Sequence, residues 1–132
     1  MSLIVDSSVA VKWVADEPGS DRARALYLSD ECWTPILIVA EVGNALWKKQ
    51  RARLVPAEQA AAALRALPDR IRLFTMEDLA PRAFEIAAGI DHPIYDCFYL
   101  ALADRERCPL VTADERLLAK AAKIKDVEVR RL

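Results

Sequence analysis

Glycine is scarce in this sequence, with three residues among 132. Loops that wrap a phosphate group need several glycines in close succession, because the backbone must turn tightly and approach the ligand. No such cluster occurs anywhere in the chain. A P-loop and a dinucleotide-binding turn are therefore both absent, and folds that bind nucleotide cofactors are disfavoured.

Cysteine and histidine are also too few for the common zinc sites. The cysteines are Cys32, Cys97 and Cys108, an odd number without a Cys-x-x-Cys spacing. They indicate neither a zinc site nor a disulfide framework, and we expect them to be reduced and packed. The single histidine, His92, falls in a predicted loop, where a surface position is the default expectation.

The chain has no long apolar run and no strong excess of charge. Its longest apolar tract is interrupted by Glu41, and residues 3–5 are too short for the apolar core of a signal peptide. We therefore expect a soluble, cytoplasmic protein without membrane association. The net charge of −1 argues against coating nucleic acid by bulk electrostatics, so any such contact must come from a local basic patch.

The order of predicted elements favours a single α/β domain over residues 1–132. Short apolar strands are predicted at residues 3–5, 32–34, 70–74, 110–112 and 127–129. Helices are predicted at residues 9–14, 21–28, 57–67, 76–89, 95–107 and 115–122, and another follows a Thr34 cap and Pro35 and continues to about residue 49. Alternating strands and helices predict a mostly parallel sheet with helices on both faces.

Four acidic residues fall at equivalent ends of these elements. Asp6 ends the first strand, Glu41 lies early in the helix after the second, Asp96 begins the helix before the fourth, and Asp114 follows that fourth strand. Each alone is most simply a helix cap or a first-turn acid. Because helices run antiparallel to the strands of a βαβ unit, all four are expected at one sheet edge, where open α/β sheets bind ligands.

Carboxylates gathered at one edge need a compensating charge. Two like charges at ~4 Å cost about 4 kcal/mol at an effective dielectric constant of ~20. The cluster must therefore take up protons, find basic partners or bind a cation. Oxygen ligands without histidine or thiolate suit Mg²⁺ or Mn²⁺, and ions held in this way hydrolyse phosphodiesters. The residues predict a metal-dependent nuclease site.

The same segments resemble the successive motifs of PIN domains, specifically VapC-type toxins. The resemblance spans the whole chain and rests on residues 4–8, on Glu41 with Asn44, on residues 95–103 and on residues 110–114. It implies a three-layer α/β/α domain with strand order 3-2-1-4-5. It also implies divalent-metal-dependent endoribonuclease activity on an RNA substrate, and a cognate antitoxin protein.

The resemblance assigns roles to individual positions as well. The metal-binding acids that it implies are Asp6, Glu41, Asp96 and Asp114. The supporting polar residues that it implies are Ser7, Asn44 and Thr112. We also expect a homodimer, in which Trp13 and Trp47 are core or dimer-contact residues.

A basic run follows Glu41 on the same predicted helix and contains Lys48, Lys49 and Arg51. By default such a run is a solvated helix end whose cations complement the helix dipole. Lys48 lies seven residues beyond Glu41, or ~10 Å along the helix, which is a suitable reach for a phosphate that flanks the cleaved one. These residues are therefore candidate RNA contacts.

Two alternatives to an active nuclease remain open at this stage. A PIN-like module could hold RNA or a protein without cutting, but such a module is expected to lack one of the acids. A phosphoacceptor signalling domain also gathers acids at a strand edge. It presents Thr or Ser and then lysine on later strands, whereas residues 110–114 end in an acid.

Overall fold

Five parallel strands form the centre of the computed structural model, which describes residues 1–132. The strands are β1 (Ser2–Val5), β2 (Glu31–Pro35), β3 (Arg72–Phe74), β4 (Leu110–Thr112) and β5 (Val129–Arg131). They lie in the order β3-β2-β1-β4-β5, and every neighbouring pair is parallel. The predicted strand order and three-layer α/β/α class are thereby confirmed.

Helices connect the strands and cover the sheet. They are α1 (Ser7–Val14), α2 (Ser20–Ser29), α3 (Leu37–Arg51), α4 (Ala57–Arg70), α5 (Ala80–Ile90), α6 (Ile94–Glu106) and α7 (Glu115–Ala121). None of them combines the length and the apolar character needed to cross a bilayer. The connections place the start of α1, α6 and α7 at the edge where β1 and β4 end.

Helix α6 is buried on nearly all sides. Cys97 and the run from Tyr99 to Ala103 are at most 2% exposed, so this helix lacks the one-sided apolar stripe of a surface helix. It packs against α5 and against β1, β2 and β4. Strand β1 is buried on both faces, as expected for the middle of a parallel sheet. The first turn of α6 therefore has a fixed position relative to the end of β1.

The predicted helix start at Thr34 and Pro35 is wrong. Both residues belong to β2, where Thr34 pairs with Leu73 of β3, and α3 begins only at Leu37. The Thr34 hydroxyl donates to the Val5 carbonyl at 3.0 Å instead of capping a helix. Pairing with the neighbouring strands has overridden a local capping signal.

Several other helix and strand boundaries differ from the predicted ones. Helix α4 continues through Pro68 to Arg70, so β3 begins two residues later than expected. Helix α5 begins at Ala80, four residues later than expected, and ends at Ile90, and its C-cap is Asp91 in a left-handed conformation (φ 53°) instead of a glycine. Aspartate is one of the few residues other than glycine that adopt this conformation routinely. Strand β5 starts at Val129, two residues later than expected.

Candidate active site

Asp6 lies at the junction between β1 and α1, where it is the N-cap of the helix. Its Oδ1 accepts from the Ser8 hydroxyl at 2.5 Å and from the Val9 backbone N–H at 3.3 Å, while its Oδ2 accepts from the Thr112 hydroxyl. The side chain is almost fully buried. Burial raises its pKa from 3.8 to about 6 despite these hydrogen bonds, and the charge of Asp96 adds to the rise. Burial thus destabilises the ionised form of Asp6 at neutral pH.

The two hydroxyls that donate to Asp6, those of Ser8 and Thr112, also accept hydrogen bonds from the backbone just after β4. Ser8 Oγ accepts from the Ala113 N–H at 2.9 Å, and Thr112 Oγ1 accepts from the Asp114 N–H at 3.0 Å. The ends of the neighbouring strands β1 and β4 are in this way joined around one carboxylate. The serine that makes this contact is Ser8, whereas the sequence motif had suggested Ser7, which begins α1 and is only half-buried.

Glu41 lies on α3 and is bound by a side chain of α6. The Tyr99 hydroxyl donates to Glu41 Oε1 at 2.5 Å. Burial raises the pKa of Glu41, the hydrogen bond from Tyr99 lowers it, and the charge of Asp96 raises it further. Tyr99 is fully buried, and burial beside these acids raises the pKa of its hydroxyl, so it remains a protonated donor.

Asp96 lies in the first turn of α6 and contacts the only histidine. His92 Nε2 and Asp96 Oδ2 are 2.6 Å apart. His92 is only 8% exposed, so the expected surface position is wrong. The adjacent Cys97 thiol is buried, and burial with the charge of Asp96 raises its pKa to about 11. Cys97 is therefore a packed, unreactive thiol, as expected from the sequence.

Asp6, Glu41 and Asp96 form one electrostatic group, since the charge of Asp96 raises the pKa of both other acids. Glu41 and Asp96 each accept one side-chain hydrogen bond, which leaves Glu41 Oε2 and Asp96 Oδ1 without a donor from the protein. Such hard oxygen ligands fit Mg²⁺ or Mn²⁺. The side chains as placed, however, form no group of three or more acids, histidines or cysteines that could hold a metal ion.

Asp114 stands apart from this group. Its Oδ1 accepts from the N–H groups of Arg116 at 2.9 Å and Leu117 at 3.3 Å and so caps α7. Its charge contributes to none of the raised pKa values of Asp6, Glu41 and Tyr99. Asn44 is exposed one turn beyond Glu41. The charge of Asp96 couples three of the four predicted acids, whereas Asp114 is connected to them only through its N–H on Thr112.

The basic residues at the end of α3 differ in their contacts. Lys48 is exposed and has no ion pair, whereas Lys49 Nζ lies 2.7 Å from Glu17 Oε2. The Arg51 guanidinium lies 5.5 Å from the centre of the Trp47 ring. Of these three cations, Lys48 is therefore the one without an ion pair or an aromatic contact within the chain.

Three residues of the site were missed by sequence reasoning, namely Ser8, His92 and Tyr99. Their spacing contained a signal, because His92 stands four residues before Asp96 and Tyr99 three residues after it. Tyr99 therefore shares a helix face with Asp96, whereas His92 precedes α6 and reaches Asp96 from the loop. Ser8 follows Asp6 by two residues, the spacing at which a hydroxyl returns to a capping carboxylate.

Comparison with known proteins places the whole of this site inside one family model. The model described as PIN domain matches residues 3–124, a range that contains all four predicted acids. Ribonuclease VapC3 of Pyrobaculum aerophilum is 31% identical over 124 residues, covering 91% of this chain and 95% of that protein. Ribonuclease VapC1 of Mycobacterium tuberculosis is 35% identical over 119 residues, covering 88% of each.

A similar solved structure is a toxin-antitoxin complex from Klebsiella pneumoniae. It superimposes with a TM-score of 0.71 at 16% identity and covers 95% of this chain and 94% of the matched one. At this identity the likeness concerns the fold.

Proposed function

Because the chain belongs to the PIN-domain family, we propose that it is an endoribonuclease that acts as the toxin of a toxin–antitoxin pair. Relatives that are more than 30% identical over nearly their full length carry the name ribonuclease, which supports this activity. The observation that carries the proposal is the placement of Asp6 at the end of β1 and of Asp96 in the first turn of α6, with Glu41 joined to α6 through Tyr99.

The proposed cofactor is Mg²⁺ or Mn²⁺, held by Asp6, Glu41 and Asp96, with Asp114 as a further candidate ligand. When bound, such an ion supplies Lewis-acid stabilisation of a phosphodiester and activation of water. It also offsets the cost of ionised Asp6, whose pKa burial raises to about 6. The donor atoms fit this ion, and occupation requires the carboxylates to close around it, since they do not enclose one as placed.

The chain's own residues hold the carboxylates for this chemistry. Ser8 and Thr112 fix both oxygens of Asp6, and His92 fixes one oxygen of Asp96. His92 is buried and occupied by this contact, so we assign it to orientation and not to proton transfer. No other histidine exists in the chain to act as a base.

The test is cleavage of a fluorescently labelled RNA by the purified protein. EDTA is expected to abolish cleavage, and added Mg²⁺ or Mn²⁺ to restore it. Asp6→Asn and Asp96→Asn are each expected to lower the rate by about 100-fold or more, since loss of even an outer partner of a metal ligand costs ~10- to 100-fold. Asp69→Asn, at an exposed position on α4, is the matched control and keeps full activity.

A second candidate function is a PIN-like module that binds RNA or protein without cutting it. It is favoured by one observation, namely that the acids as placed form no group that could hold a metal ion. The cleavage assay separates the two functions. Binding of RNA without turnover at any divalent-metal concentration supports the module and contradicts the nuclease.

We further propose an antitoxin partner and a homodimer. The similar complex from Klebsiella pneumoniae contains toxin and antitoxin, which supports a partner for this chain. Trp47 is 51% exposed and is the candidate dimer contact, whereas Trp13 is half-buried and donates its indole N–H to the Ala23 carbonyl. Light scattering coupled to size exclusion tests the dimer, and Trp47→Gln is expected to shift it toward monomer.

A further inference from the structure

Tyr99 is a polar residue in the most deeply buried helix of the molecule. Its side chain is fully buried and is the largest in the core to be so. A hydroxyl removed from water in this way needs an acceptor, because an unpaired one costs free energy that a phenylalanine ring would avoid. The acceptor is Glu41 Oε1 at 2.5 Å, on α3 and 58 residues away in the chain. The hydroxyl therefore joins two helices at the acidic group.

The contact restricts one oxygen of Glu41 and leaves the other without a donor. Oε1 accepts from Tyr99, and no protein donor reaches Oε2. Glu41 lies early in α3, and its flexible side chain would otherwise sample several rotamers. A buried donor on a packed helix thus fixes which oxygen of Glu41 faces a protein partner.

We propose that Tyr99 is a positioning residue that orients Glu41 for divalent-metal binding. The inference deepens the proposed function and rests on its assignment of Glu41 as a ligand. Donors that hold a ligand's second atom typically change metal affinity ~10- to 100-fold when they are removed. Tyr99 itself touches neither metal nor substrate in this role.

The decisive variant is Tyr99→Phe, which keeps the ring and removes only the hydroxyl. Mn²⁺ affinity, measured by electron paramagnetic resonance in the absence of RNA, is expected to fall about 10-fold or more. In the cleavage assay at fixed, subsaturating Mn²⁺, kcat is expected to fall while KM for RNA is unchanged. Tyr27→Phe is the control, because Tyr27 lies on α2 and packs on Trp13 of α1. This substitution is expected to leave both values at those of the original protein.

A double-mutant cycle separates positioning from general stabilisation. In a Glu41→Gln background the Mn²⁺ affinity should no longer respond to Tyr99→Phe, because the effect passes through the Glu41 carboxylate. Circular dichroism establishes that each variant is folded. Unchanged Mn²⁺ affinity in Tyr99→Phe, or an equal loss in both backgrounds, overturns the inference, as does a complete lack of Mn²⁺ binding by the original protein.

The outcomes for Tyr99 and for the proposed function are distinguishable. If Mn²⁺ binding depends on Tyr99 but no RNA is cleaved, the nuclease proposal fails and the positioning role stands. If RNA is cleaved with Mn²⁺ and Tyr99→Phe matches the original protein in affinity and kcat, the positioning role fails and the nuclease stands.

Discussion

Asp6 makes the stability of the metal-free protein depend on pH. In the unfolded chain it loses its proton near pH 3.8, whereas burial in the folded state raises its pKa to about 6. Between these values the folded state binds more protons than the unfolded state, so the free energy of unfolding falls as pH rises. The stabilisation is complete below pH 3.8 and is lost above about pH 6, and the difference corresponds to about 3 kcal/mol.

Asp6→Asn is expected to remove this dependence, because the amide carries no charge at any pH. In EDTA the variant should gain up to about 3 kcal/mol over the original protein at pH 7.5 and much less at pH 4.5. Urea unfolding at both pH values measures the difference. The control is Asp69→Asn, whose carboxylate is exposed. An equal effect of Asp6→Asn at both pH values would show that burial does not destabilise the ionised carboxylate.

His92 offers a second prediction at the scale of one residue. His92→Ala removes the partner of Asp96 Oδ2 from a buried position, and it should lower the cleavage rate ~10- to 100-fold. His92→Gln retains a donor and should recover part of this loss. Because His92 orients Asp96 without transferring a proton, the pH–rate profile of His92→Gln should keep the original shape. Loss of one limb of that profile would instead assign proton transfer to His92.

At the scale of the element, short-range patterns carried most of the fold. The alternation of apolar runs with helical spacings predicted a mostly parallel α/β sheet, whereas the strand order came from the family resemblance. Asp96 could be placed in the first turn of α6 from the neighbouring Pro93. The helix cap predicted at Thr34 was wrong because Thr34 pairs with Leu73, which lies on a strand nearly forty residues later. Information about a partner strand is absent from a local capping pattern.

In the candidate site, the positions of the acids could be predicted from the sequence, whereas their side-chain partners could not. Position at the ends of strands and helices identified Asp6, Glu41 and Asp96, because the direction of each element follows from the α/β pattern. Side-chain partners did not follow, since the hydrogen bond from Tyr99 to Glu41 joins α6 to α3 across the core. Asp114 shows the limit of position alone, because its carboxylate at the same edge caps α7.

Helix α3 supports a prediction about RNA contacts. Lys48 is exposed and without an ion pair, whereas Lys49 is bound to Glu17, which also pairs with Lys12 at 2.8 Å. Lys48→Ala should therefore weaken RNA binding across sequences and reduce the slope of log affinity against log salt by ~0.7, the value for one phosphate contact on a single strand. Lys49→Ala should change this slope less.

Fluorescence anisotropy in the inactive Asp96→Asn background provides the measurement, at several salt concentrations. Arg24→Ala is a suitable comparison, because Arg24 lies on α2 and is paired with Asp16 at 2.7 Å. If Lys48→Ala leaves the slope unchanged, the basic run is a solvated helix end and the RNA phosphates are bound elsewhere.

At the scale of the whole molecule, the acidic group at the carboxyl edge of the sheet is a candidate contact for a partner protein. The net charge is −1, so the negative potential at the carboxyl edge of the sheet is local. Such an edge attracts any cation of suitable reach, including a lysine or arginine of another protein. A groove between α1 and α4 is lined by apolar residues such as Trp13, Val14 and Leu67. A short amphipathic antitoxin segment could fold onto such a surface.

We expect an antitoxin of this kind to place a basic side chain among Asp6, Glu41 and Asp96. The inserted cation would compensate the same carboxylates as Mg²⁺, so the two should compete. Co-expression with the product of the adjacent upstream reading frame should give a tight complex whose activity recovers partly at high Mg²⁺. Replacing the inserted basic residue by alanine should restore activity at low Mg²⁺ while the complex persists through its apolar contacts. Equal inhibition at every Mg²⁺ concentration would place the inhibitory contact away from the carboxylates, and the absence of any bound product would contradict the expected antitoxin.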